Sequence, residues 1–293
     1  MVNFGIVAIP THYTIQPAEM ARWMEDNGFE SLFFGEHSHI PTSRESQFPG
    51  GGELPQYYKE FFDPFVGLSA AAAVTTTLKI GTSVCLVPEH NPITLAKQVA
   101  CLDRVANGRL LFGIGAGWNA EEMVDHGVEY KDRWKVTRES ILAMREIWTK
   151  EIAEFHGQFV NFNPLWCWPK PLQDGGPPVL MGASSKWSPK RIVEYCDGWI
   201  PVDGIDGMSE ITDGLEAIRT EADRMGRSMD EFDLSVITWV LTAYEQAAPD
   251  AIKRIHELLD LGFKRIVFLI EPGQPDDQWR ILEQGAKLVR EFR

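Results

Sequence analysis

The chain has 293 residues, 44% of them hydrophobic, which is typical of one large soluble globular domain with a substantial core. Its formal net charge of -14 argues against nucleic acid or an anionic membrane surface as the partner and favours a small molecule. The four cysteines form no CxxC pair, and neither a signal peptide nor a transmembrane run is visible. We therefore expect a cytoplasmic protein with reduced thiols.

Short apolar runs alternate with longer amphipathic stretches from one end of the chain to the other. They predict strands at Asn3–Ile9, Ser31–Gly35, Lys79–Leu86, Arg109–Gly115, Pro178–Gly182, Gly198–Val202, Leu234–Val240 and Arg265–Ile270. A helical pattern follows each run, so the units are predicted to close into a (β/α)8 TIM barrel that spans residues 1–293 as a single domain. A doubly wound open sheet is the competing fold.

Proline and glycine mark the predicted ends of the helices. Proline near a first helical position predicts starts at Gln16-Pro17, Asp63-Pro64, Asn91-Pro92 and Ser188-Pro189, where aspartate, asparagine and serine are good N-cap residues. Glycines suited to a left-handed helix end follow at Asn27-Gly28, Asn107-Gly108, Asp197-Gly198 and Leu261-Gly262.

Two long insertions interrupt the alternation, one after strand two and one after the fourth strand–helix unit. They cover residues 41–62 and 151–176. Irregular stretches of this length in a compact domain are often lids or binding loops, so we expect both to shape a substrate pocket. Surface decoration is the alternative.

In a barrel of this type the functional residues lie where the strands end, and the second strand ends in an unusual polar stretch. Glu36, His37 and His39 fall together there, in the sequence FFGEHSHIP. A His-x-His pair can begin a metal site, but strands five, six and eight lack the histidines and the aspartate that would complete one. We predict no metal, and His39 is interpreted as a polar loop residue.

The fifth strand ends in Gly182-Ala183-Ser184-Ser185, before the helix predicted to start at Ser188. Glycine, serine hydroxyls and free N–H groups near a helix start can bind an anion, and basic residues follow directly. We predict a phosphate-bearing cofactor, with a simple N-cap as the alternative. Neighbouring glycines of strand four spell GxGxG rather than GxGxxG, so a dinucleotide fingerprint is not predicted.

Taken together, the strand ends resemble the bacterial-luciferase-like superfamily of flavin- and deazaflavin-dependent oxidoreductases. The resemblance rests on FFGEHSHIP, on the block LKIGTSVCLVPEHNPITLAKQVACLDRVANGRLLFGIGAGW, and on LWCWPKPLQDGGPPVLMGASS and EYCDGWIPV. It is greatest to the subgroup that uses coenzyme F420, a deazaflavin, with flavin mononucleotide (FMN) as the alternative cofactor.

The resemblance implies a cofactor ring across the mouth of the barrel and its phosphate at strand five. His37 is then the catalytic residue, active in proton transfer, and Glu36 either orients His37 or binds the ring. Ser83-Val84 matches a strand-three bulge that often has a non-proline cis peptide bond in the family. The residues expected to bind the cofactor are Glu36, Ser83, Val84, Cys85, Gly117, Gly182, Ala183, Ser184 and Ser185.

The substrate pocket is expected to include His12, Trp118 and Trp239. Trp118 stands where the sugar-phosphate dehydrogenase branch has a glutamate base, which argues against sugar-phosphate oxidation and for an apolar or aromatic substrate. Trp166 and Trp168 favour the same substrate class.

The predicted function is hydride transfer between the deazaflavin and a small organic substrate. The first alternative is a two-component monooxygenase that receives reduced FMN from a separate reductase, and the second is a non-catalytic cofactor-binding protein. The resemblance also implies a homodimer.

Overall fold

A computed structural model, which describes residues 2–204 and 208–292, has a closed parallel barrel surrounded by helices. The barrel strands are β1 (Asn3–Ala8), β2 (Ser31–Phe34), β3 (Lys79–Leu86), β4 (Leu110–Gly115), β7 (Val179–Met181), β8 (Gly198–Trp199), β9 (Val202–Asp203), β10 (Asp233–Thr238) and β11 (Arg265–Leu269). Each pairs in parallel with its neighbours, and the β10–β11 and β11–β1 pairs close the barrel. The predicted TIM barrel is confirmed, and the open sheet is excluded.

The sixth barrel position holds two short strands where the sequence predicted a single strand, Gly198–Val202. Both β8 and β9 pair with β10, through Gly198 to Asp233 and Val202 to Ile237. The chain leaves the β10 ladder between them, where the Ile200 N–H donates to Met181 on the other side. The prediction of one continuous strand was wrong, although its position in the barrel was right.

The helices form the outer layer. They are α1 (Pro17–Asp26), α2 (Pro64–Ala73), α3 (Pro92–Val105), α4 (Ala120–Asp125), α5 (Arg133–Thr149), α6 (Ser188–Tyr195), α7 (Met208–Met225), α8 (Val240–Asp260) and α9 (Pro275–Glu291). The run predicted as strand Leu234–Val240 ends two residues early, because α8 begins at Val240. None of the helices within the described ranges combines the length and apolar character needed to span a bilayer.

The predicted helix ends are confirmed in most cases. Asp63 and Asn91 cap α2 and α3 through their side chains, whereas Gln16 makes no side-chain cap and Ser188 is the first helical residue of α6 rather than its cap. Left-handed glycines lie where three helices end, at Gly28, Gly108 and Gly262.

Gly198 is the exception among the predicted left-handed glycines. It belongs to β8, and a Cβ at this position would lie 2.2 Å from the Asp233 carbonyl oxygen. The glycine is required by close strand approach and not by a helix end, so the prediction was wrong there.

Apolar side chains fill the barrel interior and the space between strands and helices. The interior cluster consists of Val7, Phe33, Leu111, Leu180, Ile200, Ile237 and Val267, each at most 4% exposed. Strand residues whose side chains point away from the barrel interior, such as Phe34 and Phe112, pack against the helices in a larger cluster. The filled interior leaves the mouth of the barrel as the place for a site.

The two insertions pack in different places. Residues 41–62 hold one 3₁₀ turn, Gln56–Lys59, and the Phe62 N–H donates to the Pro10 carbonyl at the end of β1. Residues 151–176 contain an antiparallel hairpin that sequence analysis missed, β5 (Ala153–His156) with β6 (Asn161–Leu165).

This second insertion is anchored on the outer helices. Glu139 of α5 accepts three N–H groups from the hairpin turn, and Asp103 of α3 accepts the N–H groups of Leu172 and Gln173. Trp166 and Trp168, within it, are 70% and 55% exposed. These contacts favour surface decoration for the second insertion and leave pocket shaping to the first.

Candidate active site

The imidazole of His37 lies beyond the end of β2 and is held by a residue from the neighbouring part of the mouth. Its Nδ1 is 2.6 Å from Oε2 of Glu122, a first-turn residue of α4, and the two side chains are 7% and 0% exposed. The Ser38 N–H donates to the other oxygen of Glu122 over 3.1 Å. The consecutive residues His37 and Ser38, after β2, therefore both bind the Glu122 carboxylate, which lies beyond β4.

The partners of the two ring nitrogens favour one tautomer of His37. Trp118 donates its indole N–H to Nε2 over 3.3 Å, so Nε2 is an acceptor and carries no proton. Nδ1 then carries the ring proton and donates it to Glu122. These partners fit the tautomer with its proton on Nδ1, in which Nε2 can accept a proton as a general base does.

Aromatic rings of the first insertion enclose His37. Tyr58 lies 5.3 Å away between ring centroids, and Phe61 meets the imidazole edge-on at 5.4 Å. Trp118 covers a further side at 5.8 Å, and Phe48 contacts both Tyr58 and Trp118. The first insertion therefore covers His37, as expected for a lid.

Glu36 has its own set of partners, separate from those of His37. One of its oxygens accepts the Leu86 N–H over 2.6 Å, and the other lies 2.9 Å from Nε2 of His90. Burial lowers the pKa of His90, but the hydrogen bond to Glu36 and the charges of Glu36 and Asp63 together outweigh burial, so the net pKa is raised. Among the described hydrogen bonds, those that orient His37 come from Glu122 and Trp118 and not from Glu36.

Cys85 is completely buried against Glu36. Burial raises the pKa of its thiol well above the usual range, and the neighbouring carboxylate of Glu36 adds to the effect. Ligand atoms of Glu36, Cys85 and His90 lie within 4.8 Å of one another. The hydrogen bonds of Glu36 with His90 and Cys85 account for the short distances between these three residues. The absence of a metal stays a prediction.

A third glutamate, Glu89, lies behind this pair at the turn after β3. It is 9% exposed, and in the described structure no donor reaches either of its carboxyl oxygens. Its carboxyl group lies within hydrogen-bonding reach of that of Glu122, and Nε2 of His126 is 3.9 Å away. Burial, with the charges of Glu122 and Glu36, raises the pKa of Glu89 to about 9.

The third strand carries the predicted irregularity. The register between β3 and β4 shifts at Ser83–Val84, and that peptide bond is cis, as the family resemblance implied. A Cβ at Gly115 would lie 2.6 Å from Val84 Cγ2, and one at Gly182 would lie 2.3 Å from Val84 Cγ1. Two glycines on adjacent strands thus make room for Val84 at the mouth.

The loop after β7 was predicted to bind phosphate. Ser184 and Ser185 are exposed, and the Ser185 and Ser188 hydroxyls lie 3.0 Å apart. No described hydrogen bond uses the hydroxyl of Ser184. A cavity of about 310 Å³ adjoins this loop between α6 and α7.

The remaining predicted residues are spread around the mouth. His12 is exposed and packs edge-on against Tyr13 at 5.1 Å, and Trp239 is half-buried just before α8. Gly117 has a left-handed backbone with φ 73°, and a Cβ there would lie 3.4 Å from an oxygen of Glu89. The described ring contacts join only Trp118 of the predicted pocket residues to His37.

Comparison with known proteins decides the family. A family model described as luciferase-like monooxygenase matches residues 10–266. The chain belongs to the luciferase-like monooxygenase family. The predicted resemblance is therefore confirmed. Relatives of this chain include oxidoreductases named as F420-dependent and as FMNH(2)-dependent.

Three luciferase-like relatives illustrate the range. An uncharacterised protein of Mycobacterium tuberculosis is 36% identical over 98% of this chain and 99% of its own length. An F420-dependent glucose-6-phosphate dehydrogenase of Nakamurella multipartita is 30% identical over 79% of this chain and 65% of that protein. An FMNH(2)-dependent dimethylsulfone monooxygenase of Pseudomonas putida is 30% identical over 50% of this chain and 42% of that protein.

Solved structures share the barrel fold of this chain. The crystal structure of a monooxygenase from Streptomyces bottropensis matches with a TM-score of 0.79 at 19% identity, over 99% of this chain and 100% of that chain. At this identity the likeness supports the barrel fold alone.

Sequence analysis missed three residues that lie close to the predicted ones in this candidate site, namely Glu89, His90 and Glu122. Glu122 had a local signal, because Asn119 caps α4 three residues earlier and fixes the helix start after β4. Its pairing with His37 spans 85 residues, and no pattern within one sequence indicates such a contact.

Proposed function

We propose that the protein is a coenzyme F420-dependent oxidoreductase that transfers a hydride between the deazaflavin and a small organic substrate. The observation that carries the proposal is the state of His37, whose Nδ1 proton is bound by Glu122 while Nε2 remains an acceptor. A bound deazaflavin would supply hydride chemistry and would react poorly with oxygen. Because a hydride carries no proton with it, a nearby side chain must give or take the matching proton. His37 would accept or return that proton at Nε2.

The residues around the mouth fit a flat cofactor ring. Val84 presents a half-buried, β-branched apolar side chain there, and Gly115 and Gly182 fix its position. A ring could pack on this surface, with its phosphate bound by the exposed hydroxyls and N–H groups of the loop before α6. The residues proposed to bind the cofactor are Glu36, Ser83, Val84, Cys85, Gly117, Gly182, Ala183, Ser184 and Ser185.

The proposed substrate is apolar or aromatic. Trp118 forms one wall, because its indole lies against His37 and under the first insertion. His12 and Trp239 are proposed to complete the pocket. Trp118 also donates to the nitrogen that would act on substrate, so substrate binding must displace this hydrogen bond before Nε2 can take a proton.

Parallel titration of the purified protein with F420 and with FMN tests the cofactor. We expect tight F420 binding and weaker FMN binding, measured by fluorescence quenching. Ser184→Asp should weaken F420 binding at least tenfold, because it places a negative charge beside the phosphate. Glu154→Gln, an exposed position on the second insertion, is the matched control and should bind as the wild type does. Tight FMN binding without F420 binding would reverse the assignment.

A reduced-FMN-dependent monooxygenase is the second candidate. It is supported by the relative named as an FMNH(2)-dependent monooxygenase, and such an enzyme would receive its cofactor from a separate reductase. Oxygen consumption that depends on reduced FMN and on an added substrate would favour this function over hydride transfer to or from F420.

We also propose a cytoplasmic homodimer, on the family resemblance. Light scattering coupled to size-exclusion chromatography would measure twice the mass of the 33.1 kDa chain if the dimer forms.

A further inference from the structure

Three buried carboxyl groups meet behind His37, and the proposed proton transfer uses none of them directly. Glu36 is occupied by the Leu86 N–H and by His90. Glu122 is occupied by His37 and by the Ser38 N–H. Glu89 has no described donor to either oxygen, although it is buried.

Burial without a donor to either oxygen disfavours the charged form of the Glu89 carboxyl group. Its carboxyl lies within hydrogen-bonding reach of that of Glu122, and two carboxylates can form a hydrogen bond only if one of them is protonated. Glu122 accepts hydrogen bonds from His37 and from the Ser38 N–H, whereas no described donor reaches Glu89. The proton therefore resides on Glu89, which donates to Glu122.

We propose that Glu89 and Glu122 form a one-proton carboxyl pair that positions His37 with its ring proton on Nδ1 and leaves Nε2 as the reacting nitrogen. This inference rests on the proposed role of His37 in proton transfer. The pair carries one negative charge, which favours the imidazolium formed when Nε2 accepts a proton. Glu122 is a positioning residue in this arrangement, because it acts through His37.

Protonation of His37 also changes the contact to the first insertion. An imidazolium donates from both nitrogens, so Nε2 can no longer accept the indole N–H of Trp118. Trp118 contacts Phe48 and Tyr58 of that insertion. The proton state of His37 is thereby linked to the packing of the lid.

The groups that face Glu89 set the pH range in which the pair holds one proton. They are Glu122 on α4, Glu36 after β2, the Cys85 thiol on β3 and the His126 imidazole after α4. Burial and the two glutamates raise the pKa of Glu89 to about 9, so it is protonated at neutral pH and loses its proton only in alkaline solution. Above that pH the pair becomes doubly charged.

Nitrogen NMR of histidine-labelled protein, without cofactor or substrate, tests the pair directly. Long-range proton–nitrogen spectra distinguish the two neutral tautomers, and His37→Asn identifies the His37 signals among those of the seven histidines. We expect the Nδ1–H tautomer in the wild type, and a second transition of the His37 signals near pH 9 as Glu89 ionises.

Three variants distinguish a positioning effect of the carboxyl pair on His37 from a general effect on folding. Glu122→Met should abolish the dominance of the Nδ1–H tautomer, and Glu122→Gln, whose amide oxygen can still accept, should restore it. Glu89→Gln should keep the tautomer and lose the transition near pH 9, because the amide donates but does not titrate. Asp125→Asn, on the same helix but bonded to His39, is the control and should match the wild type.

An Nε2–H tautomer in the wild type, or an unchanged tautomer in a folded Glu122→Met protein, would overturn the proposal. A transition near pH 9 that persists in Glu89→Gln would also overturn it. Since none of these spectra needs F420, their outcome is independent of the cofactor titration. The positioning pair and the proposed function can therefore fail separately.

Discussion

At the scale of single residues, His37 obtains its chemical character from partners that are distant in the sequence. Glu122 and Trp118 lie 85 and 81 positions away and bind opposite nitrogens of the same ring. His39, only two positions away, is exposed and pairs with Asp125 at 3.0 Å. Two histidines in one short stretch therefore have different surroundings, which come from other parts of the chain.

Replacing His37 tests its role in catalysis. His37→Ala should bind F420 nearly as well as the wild type but turn over about 100-fold more slowly or worse, the usual loss when a general acid–base is removed. Steady-state kinetics with a substrate found by panel screening measures the effect. His39→Ala should retain most activity. Full turnover by His37→Ala would remove His37 from the mechanism.

A second residue-scale prediction concerns the room that glycine leaves for Val84. Gly182→Ala places a Cβ 2.3 Å from Val84 Cγ1, so Val84 must move or the strand must shift. We expect a loss of about 1–3 kcal/mol in the free energy of unfolding, as for other overpacked sites. Chemical denaturation measures it.

The second substitution Val84→Ala should recover most of the stability lost in Gly182→Ala, because it removes the methyl group that clashes. Gly273→Ala is the control, since its Cβ would meet only Asp277 at 3.9 Å. If Val84→Ala gives no recovery in the double variant, the clash is not the cause.

At the scale of elements, the two insertions differ in what holds them. Ser46 of the first insertion donates its N–H to Glu121 over 2.6 Å and accepts the Ala120 N–H at its hydroxyl over 3.0 Å. These bonds tie the first insertion to α4, the helix that also carries Glu122. The second insertion is held on α5 through Glu139, away from these contacts.

Glu121→Ala should therefore loosen the lid. Amide hydrogen exchange at residues 44–48 should become several-fold faster, because the side chain that accepts the Ser46 N–H is lost. Glu139→Ala is the matched comparison, and it should speed exchange at residues 158–160 while F420 binding stays unchanged. Equal effects of both variants on the lid would contradict the separation of the two insertions.

At the scale of the whole molecule, a charge network closes the end of the barrel opposite the mouth. Arg265, 3% exposed at the start of β11, binds Glu30 before β2 and Asp233 at the start of β10, both over 2.8 Å. Lys79, at the start of β3, binds the same Glu30 over 2.9 Å. The network joins four strand positions where no cofactor is proposed, so its effect should be on stability.

Acid should weaken this network. Burial raises the pKa of Glu30, but Arg265 and Lys79 outweigh it and bring the pKa from 4.5 to about 2. The stabilisation, about 3 kcal/mol from a shift of this size, is complete above pH 5 and is lost as the pH falls towards 2. Chemical denaturation at pH 7 and pH 3 measures it.

Glu30→Gln should be less stable than the wild type at pH 7. The difference should shrink at pH 3, because this carboxyl is then protonated in the unfolded wild type and must lose that proton on folding. Glu19→Gln, an exposed substitution on α1, should cost little at either pH. An equal deficit of Glu30→Gln at both pH values would assign its effect to packing rather than charge.

The sequence by itself determined the order and type of most elements. Alternating apolar runs predicted the barrel strands, and proline and glycine predicted several helix ends, because these residues affect the backbone locally whatever surrounds them. The predictions failed where the cause was not local. Gly198 is a glycine because Asp233 passes close to it, and the hairpin Ala153–Leu165 is stabilised by Glu139 on another element.

Only the tertiary structure decided the chemistry at the mouth. FFGEHSHIP indicated that Glu36 and His37 belong to a site, but their partners come from other strand ends. Barrel closure brings Glu122 to Nδ1 of His37, Trp118 to Nε2, and the buried carboxyl group of Glu89 close to that of Glu122. Tautomer and charge depend on distances of a few ångströms between segments far apart in the chain, and those distances exist only in the folded protein.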